Sequence, residues 1–235
     1  MLVLAIDTST AATSVAVVGD GVRAERSLID GRRHAEEVGP LLAQALAEAG
    51  VGAADITQVA CGVGPGPFTG LRVGIATALA FGAARDIPVV GVCSLDVIAR
   101  AAVRDAAEPV TVLTRARRSE LCWATYDALG LRVGGPLVRR EPFEVSGRCV
   151  GDAGPVSAVM YPRAADLADL VLERRDLGEA LPEEVELPED DAASTGVSTA
   201  DVLEARVRAG LVLLPPRPIY LRRPDAVVPT SGAVR

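Results

Sequence analysis

The most constraining feature of the sequence is a loop rich in glycine and proline, which reads GVGPGPFTGLRVG over residues 62–74. An apolar stretch with β-branched residues, Ile56–Cys61, precedes the loop and predicts a buried strand. An almost uncharged helical run follows it as far as Ala84. The sequence therefore predicts a strand, a stiff turn and a helix, with Thr69 placed to cap the helix.

This loop and the first acidic turn of the chain form a candidate phosphate site. Glycines before a helix N-terminus expose backbone N–H groups that can bind an anion, although a tight turn without a ligand fits the same pattern. The loop is not a Walker loop, because no Gly-Lys-Ser/Thr follows and the chain contains no lysine. An acid at a strand end can hold Mg²⁺ or cap its own turn. The candidate residues are Asp7, Thr8, Ser9, Thr10, Gly64, Gly66, Thr69 and Gly70.

The helix after the loop is apolar around most of its circumference, which predicts burial on more than one side. Tiny side chains recur at every fourth position, and glycine inside a helix costs up to about 1 kcal/mol relative to alanine. Close approach of another helix explains such a stripe, whereas an ordinary core helix is the alternative. The predicted interface, which includes the helix Ala35–Ala49, comprises Val38, Leu42, Ala45, Gly70, Gly74, Ala78, Phe81 and Gly82.

The composition limits the class of protein. The 235 residues are 49% hydrophobic and carry a formal net charge of −7, so a core is expected and unaided nucleic-acid binding is not. The four scattered cysteines favour reduced core thiols of a cytoplasmic protein over disulfides or a zinc site. Met1 leads directly into a strand, so no secretion signal is indicated, and the apolar helix after the loop is too short to span a bilayer.

The order of predicted elements changes from Val110 onward. Three strands open the chain, and a helix, a strand, the loop helix, a strand and a further helix follow. Beyond them, strands are predicted at Val110–Leu113, Leu121–Tyr126 and Leu131–Arg139, helices at Arg163–Arg175 and Thr199–Ala209, and an acidic surface segment at 178–194.

Few residues suggest catalysis. His34 is the only histidine, and HAEEV at 34–38 lacks the second histidine that a zinc-protease helix requires. Arg115, Arg117 and Arg118 could contact phosphate or form a solvated face. No catalytic residue, metal site or cofactor is therefore predicted.

Several of these stretches together resemble the TsaB (YeaZ) family, the non-catalytic partner of the threonylcarbamoyl transferase TsaD in tRNA modification. The matching segments are dense over roughly the first 100 residues and sparse from about 140 to 210. They are Leu4–Thr10, Arg33–Glu36 with Pro40-Leu41, Gly64–Gly74, Arg117–Tyr126 and Pro218–Arg222. The family usually has serine at position 67 and an acid at position 115, where this chain has Pro67 and Arg115.

The resemblance implies an α/β, actin-like and Hsp70-like ATPase fold with two lobes, each a mixed β-sheet flanked by helices. We expect residues 1–105 to form an N-terminal lobe that carries the loop and a dimer interface. We expect residues 106–235 to form the second lobe, and the final helix and tail to lie either in that lobe or back on the first.

The resemblance also implies a function. It predicts an inactive subunit of the complex that makes N6-threonylcarbamoyladenosine in tRNAs reading ANN codons. The implied partners are a TsaD-like catalytic subunit, a TsaE-like ATPase and a second copy of this chain in isolation, with tRNA bound only through the complex. A small-metabolite kinase using Asp7 and the loop, or an M22-type metallopeptidase, is the alternative.

Overall fold

The computed structural model describes residues 1–116, 119–140, 147–182, 206, 211–219 and 221. In chain order the elements are β1 (Val3–Asp7), β2 (Ala12–Gly19), β3 (Val22–Ile29), α1 (His34–Ala49), a 3-10 helix (Ala53–Asp55), β4 (Gln58–Gly62), α2 (Phe68–Arg85), β5 (Val89–Val92), α3 (Ser94–Asp105), β6 (Val110–Arg115), β7 (Glu120–Tyr126), β8 (Arg132–Arg140), β9 (Arg148–Gly151), β10 (Ala158–Val159) and α4 (Ala164–Asp176).

The first sheet has the strand order β3-β2-β1-β4-β5. β1 is antiparallel to β2 and parallel to β4, which is in turn parallel to β5. Helices α1 and α2 cover one face, where Leu4 and Ile6 pack with Val38 and Ile75. The alternate side chains of β1 point to the other face, where α4 covers them. The sheet is therefore buried on both sides, which explains why β1 is apolar throughout.

The second sheet has the order β10-β9-β6-β7-β8 and is also mixed, because β6 is parallel to β9 and antiparallel to β7. Helix α3 packs on it, and Val112, Ala124 and Val150 join the main core. Two mixed sheets flanked by helices confirm the predicted α/β class.

The segment 211–219 returns to the first sheet. Leu214 forms an antiparallel bridge with Gly91, and the Ile219 N–H donates to the Val63 carbonyl oxygen at 2.8 Å. Together with α4, this segment places residues from the second half of the chain on the first sheet. The division at residues 105 and 106 remains a prediction.

Most predicted elements lie within a few residues of the observed ones. β9 and β10 were not predicted from the sequence. The helix α2 begins at Phe68, so Pro67 takes the N-cap position and Thr69 is exposed and does not cap it, which corrects the prediction. Apart from Arg206, the predicted helix Thr199–Ala209 lies outside the described residues, and so do most of the acidic segment, Arg117, Arg118, Tyr220 and Arg222.

Candidate functional site

Asp7 lies at the carboxyl end of β1 and is 1% exposed. Its Oδ1 accepts hydrogen bonds from the Ser9 backbone N–H at 2.8 Å and from the Ser9 hydroxyl at 2.7 Å. Its Oδ2 accepts from the Ser94 hydroxyl at 2.7 Å. Gly62 lies against this carboxylate, because a Cβ there would fall 1.7 Å from Oδ2. The carboxylate is thus enclosed and hydrogen-bonded by its own chain.

The chemistry of Asp7 follows from this enclosure. Burial raises the pKa of its carboxyl, whereas the hydrogen bonds from Ser9 and Ser94 lower it, and burial is the larger effect. The Ser94 hydroxyl also accepts a hydrogen bond from the Gly64 N–H at 3.3 Å. Ser94 therefore ties Asp7 to the glycine-rich loop, a role that no local sequence pattern indicates.

Thr8 binds the first half of α2. Its hydroxyl donates to the Gly70 carbonyl oxygen at 2.7 Å and accepts from the Gly74 N–H at 2.9 Å. These two backbone groups are one helical turn apart. The hydroxyl therefore bonds to both the donor and the acceptor of one i to i+4 pair of the helix. A Cβ at Gly70 would lie 2.6 Å from the Thr8 carbonyl oxygen, and one at Gly74 would lie 2.4 Å from the Thr8 hydroxyl oxygen. Glycine at both positions is therefore required by the turn after β1.

The remaining candidate phosphate residues bring the glycine-rich loop into contact with the turn after β1. Gly64 has a φ of +85°, and a Cβ at Gly66 would lie 2.0 Å from the Ser9 carbonyl oxygen. The Thr10 hydroxyl accepts from the Ala12 N–H at 3.3 Å. The structure therefore brings together Asp7, Thr8, Ser9, Thr10, Gly64, Gly66 and Gly70, but leaves Thr69 exposed on the outer side of α2.

His34 and the four cysteines are buried. The Nδ1 of His34 lies 2.7 Å from the Thr13 hydroxyl, and burial lowers the pKa of the imidazole. Burial raises the pKa of the Cys93 and Cys122 thiols to about 12, so both are protonated at neutral pH. Among the described residues, no three histidine, cysteine, aspartate or glutamate side chains are grouped as metal ligands would be.

The structure corrects the predicted interface. Gly70, Gly74, Ala78 and Gly82 are buried inside the chain's own fold, where a Cβ at Gly82 would lie 2.3 Å from Val89 of β5. Val38 and Ala45 of α1 are buried in the same core. The small-residue stripe thus allows α2 to approach its own sheet closely. Leu42 and Phe81 are half-buried, and their contact with a partner remains a prediction.

Another side of α2 is exposed. It carries Phe68, which is 48% exposed, and Leu79, which is 42% exposed. The Arg72 guanidinium stacks over the Phe68 ring, with 4.8 Å between its Cζ and the ring centroid. We call this surface the α2 face; its members are Phe68, Thr69, Arg72, Ala76, Leu79, Ala80 and Ala83.

Two further acids were missed by the sequence analysis. Asp96 in the first turn of α3 accepts from the Tyr126 hydroxyl at 2.7 Å and pairs with Arg132 at 2.6 Å, both on the second sheet. Asp152 follows β9 and accepts from the Arg115 backbone N–H at 2.9 Å. No local motif marks either acid, because each meets partners from other parts of the chain.

Comparison with known proteins identifies the family. The family model described as "TsaD: tRNA N6-adenosine threonylcarbamoyltransferase" matches residues 8–138. An uncharacterized protein of Mycobacterium tuberculosis H37Rv is 40% identical over 227 residues, which cover 95% of this chain and 93% of that protein. The Escherichia coli tRNA threonylcarbamoyladenosine biosynthesis protein TsaB is 37% identical over 127 residues, which cover 54% of this chain and 55% of TsaB.

Solved structures agree with this result. A Pseudomonas aeruginosa protein described as similar to the peptidase YEAZ matches with a TM-score of 0.68 and 30% identity. The match covers 80% of this chain and 97% of that protein's chain. YeaZ from Pseudomonas aeruginosa matches with a TM-score of 0.65 and 29% identity. This match covers 76% of this chain and 93% of the YeaZ chain. The two sheets are accordingly those of the actin-like and Hsp70-like ATPase fold, and the chain belongs to the TsaB (YeaZ) family.

Proposed function

We propose that this chain is the non-catalytic, activating subunit of a complex that makes N6-threonylcarbamoyladenosine in tRNAs reading ANN codons. The family supports a role in this biosynthesis, because relatives in Escherichia coli and Haemophilus influenzae are named for it. The observation that carries the subunit role is the exposed, nearly uncharged α2 face.

The α2 face has the composition of a protein interface. Its one charged member, Arg72, stacks on Phe68, and the rest are alanine, leucine, threonine and phenylalanine. Depletion of charge around an aromatic residue and an arginine is typical of the buried centre of an interface. The alanines at positions 76, 80 and 83 would allow a partner helix to approach closely.

The partner we propose is a TsaD-like catalytic subunit. The family model that matches residues 8–138 is that of the transferase itself, so such a partner would carry a lobe related to this one. Two related lobes can pair through equivalent surfaces, as in an isologous dimer. The same reasoning predicts that, without the catalytic subunit, the α2 face pairs with a second copy of this chain.

The site geometry supports a non-catalytic role. In the kinase alternative Asp7 would have to face a nucleotide, yet its oxygens accept hydrogen bonds from Ser9 and Ser94. The resemblance implies that the catalytic relatives hold a metal through two histidines on one helix. This chain has a single histidine, whose Nδ1 lies beside the Thr13 hydroxyl. Neither kinase nor metallopeptidase chemistry gains support from these contacts.

The remaining parts of the proposal come from the family resemblance. They are a TsaE-like ATPase as a further subunit, contact with tRNA only through the complex, and a cytoplasmic location. A net charge of −7 agrees with a subunit that does not bind tRNA by itself. Among the described helices, none combines the length and the hydrophobicity that a membrane span requires.

The test compares two leucine-to-arginine variants of this chain. Leu79→Arg changes the α2 face, whereas Leu177→Arg changes an exposed leucine just after α4, which covers the opposite face of the first sheet. Each is co-expressed with the TsaD-like protein of the same genome, and the affinity of the purified pair is measured. Burying an unpaired arginine costs several kcal/mol, and each 1.4 kcal/mol is about tenfold in affinity. We expect Leu79→Arg to weaken binding at least about 100-fold and Leu177→Arg to leave it unchanged.

Folding and activity complete the test. Circular dichroism and melting of both variants should match the wild type, because both leucines are exposed. Modified adenosine should form with both subunits present and not with this chain alone. Normal binding by folded Leu79→Arg would place the interface elsewhere, and turnover by this chain alone would refute the non-catalytic role.

A further inference from the structure

A pocket of about 590 Å³ lies at the C-terminal end of the α2 face. Leu79 and Ala83, which belong to that face, line it from α2, and Pro215 lines it from the returning segment 211–219. An antiparallel bridge to β5 holds this segment beside the first sheet. The pocket is therefore formed by elements that the fold fixes, and it continues the surface that we propose as an interface.

The lining of the pocket is mostly apolar, and it includes Ile87 and Val89 after the end of α2. Asp86 and Arg217 are its charged members. Asp86 follows the last residue of α2 in the left-handed conformation, with a φ of +52°, and it is exposed. An apolar pocket with a few polar groups is typical of a site that accepts an apolar or aromatic group.

The opposite end of the α2 face carries such a group. Phe68 is the first residue of α2 and is 48% exposed, and the Arg72 guanidinium stacks over its ring. One end of the face thus offers an aromatic ring with a positive charge. The other end offers an apolar pocket with the negative charge of Asp86 on the same helix. The two ends are complementary in both shape and charge.

A twofold pairing of two α2 faces brings these ends together. In an isologous dimer the same surface of each copy contacts the other, so two α2 helices that cross about the axis can run antiparallel. With the axis level with Thr77, Phe68 of one copy lies level with Asp86 of the other. A helix rises about 1.5 Å per residue, so Arg72 lies about 6 Å along the helix from the level of Asp86, within reach of its long side chain.

We propose that two copies of this chain pair through antiparallel α2 faces, with Phe68 of each copy filling the pocket of the other and Arg72 pairing with Asp86 between the copies. This inference rests on the proposed function, because it specifies how the α2 face binds a second copy. An aromatic side chain that fills a pocket is a common centre of binding energy at protein interfaces. Twofold symmetry provides this contact twice.

The first test uses introduced cysteines, because the four native cysteines are buried. Thr69 and Ala83 are exposed residues near opposite ends of the α2 face. In the antiparallel pairing, position 69 of one copy and position 83 of the other are about 3 Å apart along the helix, whereas the two copies of position 69 are about 24 Å apart. A disulfide requires Cα atoms within about 7 Å of each other.

We therefore expect a mixture of Thr69→Cys and Ala83→Cys to form a covalent dimer on oxidation, and neither variant to do so by itself. Two results would overturn the proposal. Thr69→Cys that cross-links to itself as fast as the mixture would show a parallel pairing. A mixture that stays monomeric after oxidation would show that the two ends do not meet.

The second test measures self-association by sedimentation. Phe68→Ala removes the ring, whereas Leu129→Ala is the control, because Leu129 is 75% exposed in the turn between β7 and β8. We expect Phe68→Ala to weaken the dimer at least about 100-fold, since the twofold axis doubles the loss, and Leu129→Ala to leave it unchanged. Equal dimer dissociation constants for wild type and a folded Phe68→Ala would refute the role of the ring.

The charge pair has its own variant in the same assay. Asp86→Asn removes the charge and keeps a residue type that tolerates the left-handed conformation. We expect the dimer of Asp86→Asn to be weaker by roughly 3- to 10-fold at low salt and to depend less on salt than the wild type. Asp105→Asn, at the exposed end of α3, is the control. An unchanged salt dependence in Asp86→Asn would refute the pairing of Arg72 with Asp86.

Failure of this inference can be distinguished from failure of the proposed function. The cysteine and sedimentation experiments use this chain alone, whereas the proposed function is tested by affinity for the TsaD-like protein and by formation of modified adenosine. If the mixture does not cross-link but Leu79→Arg still loses the catalytic subunit, only the pairing between copies is refuted. If the mixture cross-links but Leu79→Arg binds the catalytic subunit normally, only the proposed contact with that subunit is refuted.

Discussion

Gly74→Ala tests whether the small-residue stripe of α2 belongs to the chain's own core. Glycine inside a helix is normally less stable than alanine by up to about 1 kcal/mol, so propensity alone predicts stabilisation. The structure predicts the reverse, because the new Cβ would lie 2.4 Å from the Thr8 hydroxyl oxygen. Relief of that contact displaces the hydroxyl from Gly70 and Gly74, the two backbone groups that it bridges.

The magnitude follows from two opposing effects. Overpacking a core costs about 1–3 kcal/mol, and disturbing a buried hydrogen bond adds a cost of about 1 kcal/mol or more. Subtracting the gain in helix propensity leaves a net loss of about 1–3 kcal/mol, or a fall in Tm of roughly 2–10 °C for a chain of this size. Equilibrium unfolding in denaturant measures the loss directly.

Gly39→Ala is the control for this experiment. Gly39 also lies inside a helix, α1, but a Cβ there would meet nothing within 4 Å. We expect it to stay within about 1 kcal/mol of wild type. The combination Thr8→Ala with Gly74→Ala should lose less stability than the sum of the single changes, because Thr8→Ala removes the hydroxyl that Gly74→Ala overlaps. If Gly74→Ala is as stable as Gly39→Ala, the assignment of the stripe to the monomer core is refuted.

Three further predictions concern the buried acids and the loop. Burial raises the pKa of Asp7 above its ordinary value of 3.8, so the folded protein holds that proton more tightly and the free energy of unfolding should fall as pH rises from 3.8 through the raised pKa. Asp7→Asn should lessen this dependence in denaturant titrations from about pH 4 to about pH 7, and an unchanged slope would contradict it. Tyr126→Phe removes the hydroxyl that donates to Asp96 and should cost about 1–3 kcal/mol of stability, whereas a loss below about 0.5 kcal/mol would show that Arg132 alone satisfies Asp96. Calorimetry with Mg-ATP should give a dissociation constant no tighter than high micromolar, equivalent to less than about 6 kcal/mol, and low-micromolar binding would revive the kinase interpretation.

The sequence predicted which strands and helices form the first layer of the fold, but it did not predict which side of helix α2 is buried. The loop at 62–74 and its helix are local patterns, and both appear in the structure. The buried side of α2 was not predictable, because apolar side chains surround most of this helix and periodicity gives no direction. Contacts with residues distant in the chain identify that side, such as the hydrogen bond from the Gly74 N–H to the Thr8 hydroxyl in the turn after β1.

The second sheet was less predictable for a different reason. β9 and β10 are short, and β9 is stabilised by pairing with β6, a strand distant in the chain, while β10 pairs in turn with β9. Short strands carry little periodicity of their own. The roles of Ser94 and Asp152 depend in the same way on residues brought together only by the fold, Asp7 for the first and Arg115 for the second.

Thr8 links the candidate phosphate site to the α2 face. Its backbone follows Asp7, whose carboxylate is held by Ser9 and Ser94, and its hydroxyl bridges Gly70 and Gly74 on the inner side of α2. The helix is therefore fixed by the same polar turn that could otherwise have faced a phosphate. Because the inner side is fixed in this way, the outer side is presented as a rigid surface, and a rigid surface loses less conformational entropy on binding than a mobile one. In this chain the contacts of the turn after β1 thus position the helix that carries the proposed interface.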